Sequence, residues 1–375
     1  MNFTELIKEL TIGFTTLSWG NGIMILVGCI LLYLAIVKEY EPTLLMPIGF
    51  GCILANLGMS STTGFMKVIY DAGITTELFP LLIFVGVGAM IDFRPLMAMP
   101  QMVLLGAAGQ FGIYATLILA VLLGFDIKQA ASIGVIGAID GPTAIFVASK
   151  LAPAMLGPIA VAAYSYMSLI PIIQPPIMKL MTTRKERLIR MEYTARPVSK
   201  VAVIAFPVVV TVAVSLVAPS AAPLIATLML GNFLKECGVV DRLSKAAQNE
   251  IINIATLFLA LAIGSTMTAA NFINLQTLGI LVLGLLAFVI DTVAGLLFGK
   301  LMCFVTGGKI NPLIGACGIS AFPMAGRLSA RMALDEDYDN FILMHAMGSN
   351  TAGQLGSVIA GGLLLALVAG VTGII

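Results

Sequence analysis

Long apolar runs interrupted by short polar stretches set the pattern of this chain. Residues 20–37, 101–125, 201–234, 251–290 and 341–375 contain no Asp, Glu, Lys or Arg. A bilayer span needs about 20 predominantly apolar residues, so several of these runs have room for more than one helix. The expected fold class is therefore an all-α polytopic membrane protein. The opening stretch, 1–19, carries Glu5, Lys8 and Glu9 and lacks the basic-then-apolar order of a signal peptide. It reads as an N-terminal interfacial segment.

Composition sharpens that reading. Hydrophobic residues make up 59% of the 375 and charged residues only 10%, against about 25% charged in a soluble domain. A net charge of +1 argues against a nucleic-acid partner. The five cysteines are scattered and form no CxxC pair, and the single His345 cannot make a metal site alone. There is no phosphate-binding loop, dinucleotide fingerprint or His/Cys metal spacing. Any pumping must then draw on an ion gradient or on chemistry supplied by a partner.

Basic residues concentrate at mid-chain. Residues 179–200 hold Lys179, Arg184, Lys185, Arg187, Arg190, Arg196 and Lys200 against Glu186 and Glu192, which places this linker on the cytoplasmic side. It separates two halves, 20–178 and 201–375, that align weakly but in order. Pro47 and Asn56 match Pro223 and Asn232 at identical spacing, and Gly88 matches Gly264. Further on, Ile136-Gly137-Ala138 matches Ile314-Gly315-Ala316. Each half has room for about five membrane-inserted segments. An odd number of full spans per half would invert one repeat relative to the other, as in secondary transporters.

Two segments at matching places are too polar and too broken for plain spans. In Gly137-Ala138-Ile139-Asp140-Gly141-Pro142-Thr143, the proline cannot sit inside an undisturbed helix. Backbone freed at that depth must be buried in protein or line a watery cavity. Asp140 stands in an otherwise uncharged stretch, 129–149. A charge there costs about 3 kcal/mol on insertion scales and usually marks an ion path; the plainer alternative is a protonated or salt-bridged Asp that fixes packing. The second segment runs from Asn311-Pro312 through Gly315 and Ser320 to Pro323 and is followed by Arg327. Its Asn and Ser oxygens, with freed carbonyls, suit a small hard cation, although small residues also allow close helix packing.

Other polar positions stay open. Tyr164 and Tyr166, beside Ser168, fit either an interfacial anchor or the end of a half-helix. Asn350, in Met347–Gly353, joins the candidate cation ligands. Asp92 and Arg94 mark a membrane-edge turn. Asp291 fits a proton path or a packing partner equally.

The motifs GVGAMIDFRPL, GAIDGPTAIF, AYSYMSLIPIIQPPIMKL, NPLIGACGISAFPMAGR and MHAMGSNTAG together resemble the beta subunit of the sodium ion-translocating, biotin-dependent decarboxylases. That family serves oxaloacetate, methylmalonyl-CoA, glutaconyl-CoA and malonate decarboxylases. The resemblance runs from about Gly20 to the end. It implies a carboxyltransferase alpha subunit, a biotin carrier subunit and a small single-span gamma/delta-type subunit as partners. Carboxybiotin arrives on the carrier, is decarboxylated at the beta subunit with consumption of an external proton, and Na⁺ is driven out. Asp140 falls on the family's sodium ligand and proton-coupled acid. Tyr166 falls on its functional tyrosine, Asn311, Gly315, Ser320 and Arg327 on its second motif, and Asn350 on its MGxN asparagine.

The same resemblance implies a fold like the citrate and bile-acid symporters, multi-pass in the bacterial cytoplasmic membrane, in a complex that can contain several copies. Arg327, planar and permanently charged, could clamp the carboxylate of carboxybiotin or anchor a helix at the membrane edge. The chain has no Met-Lys-Met biotinylation signature, so the cofactor must come on another subunit. One departure is Ala138-Ile139 before Asp140, where glycine and a small residue are expected; it should relax the turn slightly. Oxaloacetate-type beta subunits run longer, which favours a CoA-ester decarboxylase. The rival reading is a stand-alone Na⁺-coupled organic-anion symporter, separated from the first by the motifs alone.

Overall fold

The computed structural model describes residues 17–192 and 197–372. The expected interfacial segment lies outside the described residues as far as residue 16. Among the described residues every regular element is helical. The first half contains α1 (Trp19–Val37), α2 (Pro42–Asn56), α3 (Gly64–Tyr70), α4 (Leu78–Met90), α5 (Met102–Ala108), α6 (Phe111–Leu122), α7 (Ile127–Gly134), α8 (Gly141–Leu151), α9 (Leu156–Ser168) and α10 (Ile170–Met181). The second contains α11 (Lys200–Val217), α12 (Ala222–Glu236), α13 (Asp241–Ala246), α14 (Ile252–Ser265), α15 (Leu275–Val305), α16 (Met324–Glu336) and α17 (Leu343–Thr372). Helix α10 continues past the expected boundary at 178, because Pro175 and Pro176 are accommodated inside it.

Among the described residues six helices are long and apolar enough to cross a membrane, and two sharply bent pairs, α3 with α4 and α9 with α10, also qualify as broken spans. Burial sorts them. Only 11% of α11 is covered, against 61% of α17. Apolar side chains left bare on α11 and α1 belong against lipid tails, whereas α15 and α17 form the centre.

The two halves repeat their irregularities. A π-helical turn at Asp71–Thr75 leads into α4, and another at Ala247–Ile251, at the matching place, leads into α14. Tight 3₁₀ turns at Val135–Ala138 and Pro312–Gly318 break the segments picked out in the sequence. Helix α2 packs on α14, and α12 on α4, so each half lies against the other. Asn56 donates to Met267 O at 2.8 Å and Asn232 to Ile91 O at 3.0 Å, pinning both pairs.

The broken segments are hairpins hung from opposite ends of α15. The first, α7 and α8, starts beside Gly279 through Phe125 and leads on to Met155, whose sulfur meets Gln276. The second, 311–336, starts and ends at the linker. Asn311 donates to the carbonyls of Arg187 and Ile189, and Glu336 pairs with Arg187. The tips meet in the middle, where Ser320 N and Oγ both donate to Ala138 O, at 3.3 and 2.5 Å. Among the described residues each half thus supplies six helical units, counting once each hairpin, each bent pair and each of the continuous spans Met102–Leu122 and Asp241–Ser265, where the apolar runs suggested about five.

Candidate functional site

Asp140 occupies the tip of the first hairpin as the N-cap of α8. The local sequence dictates this. Asp before Gly-Pro is a helix-start signature: the carboxylate accepts a free backbone N–H, and proline in the first turn has no N–H to leave unpaired. Thr143 N donates to Asp140 Oδ1 at 3.3 Å. The preceding Ile139 sits in the left-handed region at φ 55, a conformation disfavoured for a β-branched side chain. Ile139 is itself buried, 1% exposed.

The carboxyl is 4% exposed. Its other oxygen, Oδ2, accepts from Ser357 Oγ at 2.7 Å and Gln354 Nε2 at 3.0 Å, both from α17. Among the described residues no Lys or Arg pairs with it. Beside it lies a cavity of about 170 Å³ lined by Asp140, Tyr164, Ser320, Phe322, Gln354 and Thr256, among others. The Tyr164 hydroxyl is buried there without a hydrogen-bond partner among the described residues. The Tyr164 ring lies against Gly141 so closely that a Cβ at 141 would come within 2.2 Å of it. A carboxylate with neutral donors only, next to a cavity and an unpartnered hydroxyl, has the oxygen chemistry of a monovalent cation site.

The other sequence candidates fall at several places. Ser320 is at the site, on the facing tip. Asn350 lies on the same face of α17 as Gln354 and Ser357, one turn before Gln354. It donates to Cys317 O at 3.3 Å and Ile319 O at 2.8 Å, and its own oxygen has no partner among the described residues. Gly315 packs backbone to backbone on α15; a Cβ there would meet Gly295 O at 2.1 Å. Asn311 lies at the linker end of the second hairpin, not beside Asp140, with its oxygen capping Leu313 N. Tyr166 donates to Leu281 O at 2.5 Å, and it is Tyr164, not Tyr166, that lines the cavity with Asp140. Arg327 is exposed near the start of α16 and makes no ion pair among the described residues. His345 is buried at the start of α17.

Sequence reasoning missed Gln354, Ser357 and two further glutamines. The unwound second hairpin frees carbonyls that need donors. Gln174 Nε2 reaches Ala316 O at 2.8 Å, Gln110 Nε2 reaches Gly318 O at 3.2 Å, and Ser349 Oγ reaches Ile314 O at 2.9 Å. Those carbonyls already hold protein donors. An amide inside an uncharged apolar run was the only available signal.

Asp291 sits in α15 with 0% exposure, and its Oδ1 accepts from Gly112 N, a free donor at the start of α6. The break between α5 and α6 creates that need. Asp92 caps Arg94 N at 2.9 Å, and Arg94 pairs with Glu236.

The family described as Na⁺-transporting oxaloacetate decarboxylase beta subunit matches residues 20–368. The glutaconyl-CoA decarboxylase subunit beta of Acidaminococcus fermentans is 55% identical over 361 residues, 96% of either chain. The methylmalonyl-CoA decarboxylase subunit beta of Veillonella parvula is 54% identical over 356 residues, 95% of either chain. The probable oxaloacetate decarboxylase beta chain of Vibrio cholerae is 46% identical over 423 positions, covering 96% of this chain and 98% of that one. Membrane helices, paired broken segments and matches of this extent agree: the chain is a membrane protein and belongs to the Na⁺-transporting oxaloacetate decarboxylase beta subunit family.

Proposed function

We propose that this chain is the subunit at which decarboxylation of carboxybiotin drives Na⁺ out of the cell, with Asp140 exchanging Na⁺ for a proton. The observation that carries the reading is the buried Asp140 carboxyl. Among the described residues it has neutral donors only, and it lies beside a cavity at the meeting point of two hairpin tips. Ionised, it suits Na⁺; emptied, it is most comfortable protonated, since an unpaired buried charge is costly. One carboxyl then carries one ion in each direction.

Ser320 and Asn350 complete the cation's surroundings from the second half. Asn311 and Gly315 act by shaping the segment that carries Ser320. Tyr166 braces α9 on α15. Arg327, exposed and without an ion pair among the described residues, meets the carboxylate of carboxybiotin. The carrier, a carboxyltransferase and a small single-span subunit complete the complex, which can hold several copies of this chain, in a bacterial cytoplasmic membrane. Two inverted repeats, as in citrate and bile-acid symporters, support an elevator-like change of access. In favour is the arrangement of hairpins hanging from opposite ends of α15 and of reciprocal Asn bonds.

The complex acts on a CoA ester, glutaconyl-CoA or methylmalonyl-CoA. Support comes from the 55% and 54% identities to those relatives, and from the longer alignment, 423 positions, that the Vibrio cholerae chain requires. The test is ²²Na⁺ movement by the purified complex in proteoliposomes during carboxybiotin consumption, native against Asp140→Asn. Loss of both activities in the variant supports the pump. Na⁺ uptake with an external anion by this chain alone, indifferent to carboxybiotin, would make it a symporter.

A further inference from the structure

Tyr164 carries a polar atom that its own packing does not need. The side chain is 2% exposed and belongs to the main apolar core, yet its hydroxyl has no hydrogen-bond partner among the described residues. Phenylalanine would fill the same space without stranding a buried hydroxyl, which is costly. Tyr166 shows the contrast, with its hydroxyl committed to Leu281 O. Tyr164 lines the cavity beside Asp140, as does Gly141. A Cβ on Gly141 would come within 2.3 Å of the ring carbon that bears the hydroxyl, so the phenol ends against the residue that follows Asp140. From this geometry we infer that the Tyr164 hydroxyl is a direct ligand of the transported Na⁺, and that its pinned ring sets the size of ion the site prefers. The inference rests on the reading of Asp140 as the Na⁺ site.

The polar side chains around the cavity are those of Thr43, Asp140, Tyr164, Thr256, Ser320 and Gln354. All of them offer oxygen, and none is a cation, an imidazole or a thiol, a set that suits a hard ion. Asp140 Oδ1 has only the long contact from Thr143 N at 3.3 Å, so it keeps lone pairs for a cation. The Ser320 hydroxyl gives its hydrogen to Ala138 O and likewise keeps its lone pairs. A phenol oxygen can join them through a lone pair while its proton stays in place. Rigidity supplies the selectivity. Only two side-chain torsions lie behind the Tyr164 oxygen, and the Gly141 backbone stops the ring on one side. Li⁺, whose bonds to oxygen are shorter, cannot draw a pinned hydroxyl inwards and therefore gains less from it than Na⁺ does.

The test uses the whole complex at one fixed pH, in proteoliposomes for decarboxylation and in detergent for thermal unfolding. Tyr164→Phe keeps the ring and removes only the oxygen. The Na⁺ concentration for half-maximal decarboxylation should rise about tenfold, the effect of losing one contact to a charge. With Li⁺ in place of Na⁺ the rise should be smaller, so the preference for Na⁺ falls. Without either ion the Tyr164→Phe complex should unfold no earlier than the native one, because the hydroxyl has no protein partner to lose. The stabilisation that added Na⁺ gives should shrink. If Tyr164→Phe does not assemble, Tyr164→Met, which restores apolar bulk, takes its place in the same measurements. Equal shifts for Na⁺ and Li⁺, or earlier unfolding with an unchanged ion requirement, would make Tyr164 a packing group and overturn the inference while Asp140→Asn still abolishes Na⁺ dependence. If Asp140→Asn keeps Na⁺-dependent pumping, the reading of the site itself fails.

Discussion

Asn56 and Asn232 make the same hydrogen bond from opposite halves of the chain. Asn56 donates to Met267 O and Asn232 to Ile91 O, and each acceptor follows the other half's asparagine at the same spacing. Both amides are buried, at 2% and 1% exposure. Asn56 also accepts from Ala269 N at 3.1 Å.

Because these bonds tie one half to the other, Asn56→Ala and Asn232→Ala should each destabilise the folded chain by about 1–3 kcal/mol, the effect of leaving buried backbone groups unpaired. Thermal unfolding of the detergent-solubilised complex measures this. Unchanged unfolding temperatures in both variants would mean that the helix faces alone hold the halves together.

Gly141→Ala should damage the site without touching a polar atom. The added Cβ would come within 2.2 Å of the Tyr164 ring, and overpacking of this kind costs about 1–3 kcal/mol. Pairing it with Tyr164→Leu should recover stability but not Na⁺-dependent decarboxylation. A Gly141→Ala protein with native stability and activity would show that the ring moves freely.

Asp291 is expected to act through packing. Asp291→Asn keeps an acceptor for Gly112 N and should retain most Na⁺ transport, whereas Asp291→Leu leaves that N–H unpaired and should lose about 1–3 kcal/mol. Transport abolished in a stable, assembled Asp291→Asn protein would instead place this acid on a proton path.

The linker should come loose in acid. Hydrogen bonds from Arg187 hold the Glu336 carboxyl below its ordinary value, and those from Arg190 do the same for Asp337. Both groups bind fewer protons folded than unfolded near their titration range. Their stabilising contribution is therefore complete above the unfolded value, about 4, and is lost as the pH falls through the lower folded values. Limited proteolysis within 182–192 should accelerate below about pH 4. Arg187→Gln should be cleaved faster at pH 7 and no faster than the native chain in strong acid. Equal cleavage rates at pH 7 would show that these ion pairs do not hold the linker.

Much of this was legible in the chain. Uncharged runs gave the membrane helices, since the bilayer demands length and apolarity from every span. Asp-Gly-Pro-Thr marked a helix break with a capping acid, because proline and N-cap chemistry are local. The matching Asn and Gly positions pointed to two halves. What stayed hidden depended on partners far away in sequence. Nothing near Gln354 or Ser357 says that they reach Asp140, and nothing near Gln110 or Gln174 says that they satisfy carbonyls of the second hairpin. Asn311 looked like a cation ligand and instead faces the linker, because its position along the hairpin, not its residue type, decides what it meets.

Local chemistry therefore determined the class, the broken segments and the acid at the first tip. Tertiary structure alone decided which neutral donors surround that acid, which tyrosine lies beside it and how the tips meet. Helix starts and membrane spans are fixed by neighbours within a few residues. A buried carboxyl is defined by whatever the rest of the chain packs against it.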